Sequence, residues 1–189
     1  MMQPDDAFVD WWHTPWRLPY APQAWPDGAA PAGELARRHG YRLWCDAAGV
    51  PAALPATFDP QWQAMARCDG PALETAAGLY GGLLAARERD HAALARLPLA
   101  QRRWCMSVAL TQPLTALVPG LAGTDRGLAE LAAALAAGFP GLWPRLRLLL
   151  PPEQTAHIAP AGAAAASPRL ARCWRLCAER AALPWQEAA

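Results

Sequence analysis

The stretch PALETAAGLYGGLLAARERD, Pro71 to Asp90, decides the fold class. Its proline sits where a missing N–H costs nothing, in the first turn of a helix, and Leu73, Ala76, Ala77, Tyr80, Leu83 and Leu84 then recur at helical spacing. Leu94 and Leu97 continue the buried side, so the spacing predicts a helix from Pro71 to about Leu97 with Arg87, Glu88, Arg89 and Asp90 outward. Gly78, Gly81 and Gly82 weaken it by roughly 1 kcal/mol each relative to alanine, and so predict either close helix packing or a local break. No strand precedes them and no Gly-Lys-Ser/Thr follows, which excludes a phosphate loop.

The flanking sequence carries further helical signals. Glu34 to Ala48 reads as one short helix ending at Gly49, with Leu35, Tyr41, Leu43 and Trp44 as its apolar residues. Asp59 before Pro60 is a helix start and predicts a brief helix through Trp62, Met65 and Ala66. Leu99 to Leu117 reads as a helix bent at Pro113, with Trp104, Met106, Val108, Leu110, Leu114 and Leu117 packed and Gln101, Arg102 and Arg103 outward, and Thr124 and Asp125 offer a cap for a helix from Leu128 to Ala137. Leu142 to Leu150 fits a short helix or the one plausible strand, although no partner strand of comparable quality exists. Pro151 and Pro152 with Glu153 start a short helix, and Pro160 to Ala166 is a low-complexity loop. Ser167 and Pro168 then cap a helix whose core face is Leu170, Cys173, Trp174, Cys177 and Ala181. The expected class is therefore all-α: an irregular multi-helix domain over residues 32–189, preceded by a Pro/Trp-rich arm over residues 1–31.

That arm holds Pro4, Pro15, Pro19, Pro22, Pro26 and Pro31 among Trp11, Trp12, Trp16, Tyr20 and Trp25. The prolines forbid a long helix, yet the segment is too aromatic for ordinary disorder, so it is expected to be extended and to pack on its own domain or on a partner.

Composition narrows the function classes. Hydrophobic residues make up 53% of the 189-residue chain and charged residues 17%, against about 25% charged in an average globular protein, so apolar side chains must reach the surface and invite partners. The longest apolar runs are interrupted by Glu130, Arg145 and Arg147 and fall short of the ~18 residues of a membrane span. An N-terminus carrying Asp5, Asp6 and Asp10 does not resemble a secretory signal, and the expected address is cytoplasmic, reaching the inner membrane only through protein partners. Residues 1–90 carry seven Arg against eleven acids and residues 91–189 ten Arg against five, with no Lys anywhere. The Arg residues are diluted among Leu and Ala, which argues against nucleic acid and for solvated helix faces.

Catalytic patterns are missing. There is no His-Glu-x-x-His, Cys-x-x-Cys or Gly-x-Ser-x-Gly, and no two of the four histidines form a close pair to complete a metal site with Cys173 and Cys177. Five cysteines without an export signal are expected to be reduced and mostly buried. Ser107 lies on an apolar helix, Ser167 is explained as a cap, and His91 as a solvent-facing residue. No catalytic group, metal or cofactor is expected. Of the ten tryptophans, Trp44, Trp62, Trp104, Trp143 and Trp174 belong to helices and are assigned to the core. Trp11, Trp12, Trp16 and Trp25 in the arm, with Arg172 and Arg175 on the last helix, are the candidate partner-binding residues, since Trp and Arg dominate interface hot spots. On this reading, alanine at Trp11, Trp12 and Trp16 removes binding and leaves the fold intact.

Several stretches carry a family resemblance. Leu18-Pro19-Tyr20 with Trp25-Pro26, Arg102-Arg103-Trp104, Pro144-Arg145-Leu146-Arg147-Leu148 and the helix Arg169-Leu170-Ala171-Arg172-Cys173-Trp174-Arg175-Leu176 resemble the SctK family of type III secretion accessory proteins, which includes YscK and is distantly related to MxiK and OrgA. The resemblance implies a helical adaptor of the sorting platform, whose partners are the inner-membrane ring and the pod proteins, with no cofactor. The alternatives are a chaperone or regulator of a secreted substrate, and a small helical enzyme or ligand-binding protein with a pocket between the glycine-bearing helix and Trp104.

Overall fold

The computed structural model describes residues 4–25, 28–158 and 167–185. Among these residues every regular element is helical, as the periodicity predicts.

The centre is the glycine-bearing helix, α4 (Gly70–Glu88), started by Asp69, whose carboxylate accepts from the Ala72 N–H at 2.8 Å. It is buried from Leu73 through Ala85 on nearly every side because two long helices cover it: α7 (Gly123–Gly138) and α10 (Pro168–Ala181). Gly78 and Gly81 are the reason α7 can come so close, while Gly82 makes room for Leu97 and for Cys105 of the helix from Leu99. A Cβ on Gly81 would collide with the Gly123 carbonyl, and one on Gly127 of α7 would collide with the Ala77 carbonyl. Close packing, not a break, is the outcome at Gly78, Gly81 and Gly82, and the area buried along α4 and α7 offsets the propensity cost.

Several expected boundaries move, each for a local reason. The segment Glu34–Ala48 divides at Gly40 into α2 (Glu34–His39) and α3 (Tyr41–Ala48), where the Trp25 ring lies against Gly40 and leaves no room for a side chain without displacement. Only Tyr41, Trp44 and Cys45 of that pair are buried; Leu35 and Leu43 stand in solvent. After α4, Arg89 takes a left-handed conformation and Asp90 caps a new short helix, α5 (His91–Ala95), so the chain turns before Leu97. The helix from Leu99, α6 (Leu99–Val108), ends well short of Pro113 instead of bending there, because the residue before a proline is driven out of helical conformation. Helix α7 begins at Gly123 with no side-chain cap, so Thr124 and Asp125 lie inside its first turn. Ser167 occupies the cap position of α10, yet its hydroxyl makes no capping bond, and Pro168 alone opens the helix. Leu142 to Leu150 is helical, as α8 (Trp143–Leu146) and a 3-10 turn Arg147–Leu149, followed by α9 (Pro152–Thr155). A 3-10 helix Pro60–Arg67 starts at Asp59, which caps the Gln61 N–H. The loop expected at Pro160 to Ala166 lies outside the described residues.

The largest correction concerns the N-terminus. Residues Asp6–His13 form α1, capped by the Asp5 carboxylate on the Phe8 N–H at 2.7 Å, and Pro15–Arg17 add a 3-10 turn. The expected extended arm is thus helical at its start, because Pro4 and Pro15 bracket a proline-free stretch long enough for two turns. Phe8, Trp12 and Trp25 join the same core as α4 and α7, Trp11 and Trp16 pack against it, and Tyr20 stays exposed. Phe8 and Trp12 pack on Phe139 at the end of α7, which is itself stacked on Phe58 at 4.2 Å.

Candidate interaction surface

Of the six candidate partner-binding residues, two are withdrawn into the interior. Trp12 has no exposed surface and Trp25 is 6% exposed. Neither can meet a partner in the folded chain, because the Trp12 ring is enclosed between Phe139 and the Arg145 guanidinium, whose carbon lies 3.5 Å from the ring centroid. Trp11 and Trp16 are half-buried. Trp16 bridges Trp25 at 5.6 Å and Trp44 at 6.4 Å, whereas Trp11 packs on Phe8 at 5.8 Å, so the arm's indoles are divided between neighbouring clusters. Arg172 and Arg175 do lie on the solvent face of α10, with Arg175 paired to Glu179 one turn on. Arg175 also edges a shallow groove with Asp5, Gln63 and Arg67 at the start of α1.

Two charged residues that pattern reading assigned to no role are buried. Arg145, fully enclosed, donates to the Tyr41 hydroxyl at 2.7 Å, the Trp12 carbonyl at 3.3 Å and the Gly141 carbonyl at 3.4 Å. All three acceptors are neutral. Burial therefore holds the Arg145 pKa below the usual arginine range, and the same burial pushes the Tyr41 phenol up to about 12. Tyr41 in turn donates its O–H to the Ala52 carbonyl at 2.6 Å. Glu130 on α7, 1% exposed, accepts from the Leu117 and Val118 N–H groups at 2.7 to 3.0 Å and so ties down the strand-like connection after α6. Desolvation raises its pKa despite those two donors. Both groups fix chain crossings.

The Arg145 cluster yields a prediction. An Arg145→Met variant, which keeps length and apolar volume and removes the buried cation, stays within about 2 kcal/mol of the parent in urea denaturation. A loss as large as that of a deleted tryptophan would show that the charge itself holds α1 in place.

A groove of about 650 Å³, open to solvent, lies between Thr57–Trp62, Ala137–Gly138 and Ser167–Pro168. It is not where the sequence placed a rival pocket. Between α4 and Trp104 the space is filled, since Leu97 and Cys105 press against the position that a Gly82 side chain would need. Among the described residues no three His, Cys, Asp or Glu side chains gather as a metal site, and no helix is long and apolar enough to cross a membrane. Four thiols are buried and Cys68 is half-buried; burial pushes Cys68 up to about 11 and Cys105 to about 12, far from the thiolate form.

The apolar side chains that do face solvent lie elsewhere. Three of them, Leu99 (47% exposed), Met106 (56%) and Leu110 (82%), follow one another along α6 and the turn after it; Leu35 and Leu43 on α2 and α3, Tyr20 in the N-terminal segment and Leu183 after α10 are scattered singly. Composition foretold exposed apolar surface without locating it. Met106 and Leu110, expected to be packed, are instead exposed, because a surface stripe and a core stripe repeat at the same spacing and periodicity alone does not say which one meets the core.

No family model, no curated protein and no solved structure matches this chain.

Proposed function

We propose that this protein is a helical adaptor that works by binding other proteins, and that it serves in a bacterial type III secretion apparatus between the inner-membrane ring and the sorting-platform pods. The observation that carries the binding half of this reading is the row of large apolar side chains standing in solvent on α6, a helix held rigidly against α4. The secretion half rests on the resemblance to the SctK family in the aromatic N-terminal segment, the Arg102-Arg103-Trp104 helix and the α10 sequence. The chain acts at the cytoplasmic side of the inner membrane on this reading, reaching it through its partners.

Affinity capture from a native bacterial lysate tests both halves. Ring and pod proteins are expected in the eluate, and a deletion strain is expected to lose secretion. Intact secretion in the deletion strain, with neither class of protein captured, removes the assignment.

A further inference from the structure

We propose that the exposed face of α6 docks an acidic amphipathic helix of a protein partner. Leu99, Arg103, Met106 and Leu110 follow one another at intervals of four, three and four residues, so they form one continuous stripe on the helix surface. All four are exposed, while Cys105 and Ala109 on the opposite side face α4 and the core. Ten residues of helix give a seam about 15 Å long, the reach of three turns of a partner helix.

Charge selects the partner. From His91 to Thr124 the chain carries Arg96, Arg102 and Arg103 and no Asp or Glu. Among the described residues neither Arg102 nor Arg103 takes part in an ion pair. A partner helix with leucine-like anchors at the same intervals and carboxylates along its flanks would bury the three apolar side chains and pair both guanidinium groups. A second copy of this chain is a poorer occupant, because a two-fold contact through the stripe sets Arg103 of each copy against the other's arginines. An anionic membrane is poorer too: the stripe offers three apolar side chains and Arg103, with Arg102 half-buried beside it, without the extended basic face and aromatic anchors of an interfacial helix.

This inference rests on the reading of the chain as a protein-binding module and not on the secretion assignment. The test uses the full chain labelled at its methionine methyl groups, of which Met106 is exposed and Met65, 1% exposed, is the internal control. Three probes are titrated: a synthetic helix-forming peptide with leucines spaced four, three and four and glutamates on its flanks, a twin with lysine for every glutamate, and phosphatidylglycerol vesicles. The acidic peptide is expected to shift the Met106 methyl and leave Met65 in place, more weakly as salt is raised. Leu110→Glu, at a position too exposed to disturb the core, and Arg103→Glu are each expected to weaken binding by about tenfold or more.

The proposal is overturned if the acidic peptide leaves Met106 unmoved, if the lysine twin binds equally well, or if either variant binds like the parent. It is equally overturned if only vesicles move Met106, or if the signal tracks self-association that Leu110→Glu abolishes. Capture from the lysate separates the two readings. If the peptide binds as stated and no secretion protein is captured, the secretion assignment alone fails; if capture succeeds and both variants capture as well as the parent, the α6 face alone fails.

Discussion

A Trp12→Ala variant unfolds at markedly lower urea, having lost about 3–5 kcal/mol of stability. The indole is fully buried, stacks on Phe139 at 5.6 Å, donates its N–H to the Ala52 carbonyl at 3.2 Å and lies beneath the Arg145 guanidinium. Truncation leaves a void among aromatic rings that cannot collapse, and strips the buried cation of the ring face that helps offset its desolvation. Trp11→Ala, at a half-buried position on the same helix, is the control and loses about 1 kcal/mol. Circular dichroism during urea titration reads both variants. This reverses the expectation that alanine at Trp11, Trp12 and Trp16 removes binding and spares the fold: an unchanged midpoint for Trp12→Ala would restore it and show α1 to be detachable.

Trp174→Ala has an effect of the same order, about 3–5 kcal/mol, or a fall in melting temperature of about 10 °C. Trp174 is fully buried on α10 and its ring lies parallel to that of Tyr80 on α4 at 4.3 Å, so it joins the last helix to the central one. Its indole N–H meets no acceptor among the described residues. Trp174→Phe therefore keeps the stack, gives up some volume and removes a buried unpaired donor, and costs less than half as much in the same thermal melt. Equal losses for Ala and Phe would place the energy in the indole N–H and not in the stacked ring.

Several helix starts were legible from a local signal, though the caps at Asp5 and Asp90 were not among those expected. Asp59 and Asp69 start helices because a carboxylate followed by proline within two residues satisfies free amides at no cost to the helix, and that chemistry is complete within four residues. The core face of α10 was equally legible, since Leu170, Cys173, Trp174 and Cys177 recur at helical spacing and all four are buried. The same device misled at Ser167, whose residue type suits a cap it does not form. In the arm a local signal is present that the expectation of an extended segment overlooks: Asp5 caps α1 and Phe8 and Trp12 lie one turn apart on its buried face, but residue type alone does not separate a core indole from a docking one. Arg172 and Arg175 were correctly read as solvent-facing, because α10 is amphipathic enough to declare its polar side.

The chain by itself determines that it is helical, where several helices start, and that apolar surface must remain outside, because capping, proline placement and composition act over a few residues or over the whole count. The tertiary structure alone decides which charged and aromatic groups lie inside. Arg145 is buried because its three acceptors come from Trp12, Tyr41 and Gly141, two of them more than a hundred positions away, and Glu130 because two amides from the segment before α7 converge on it. Desolvating an ion is tolerable only where such donors or acceptors meet it in space, and that meeting is a property of the assembled fold.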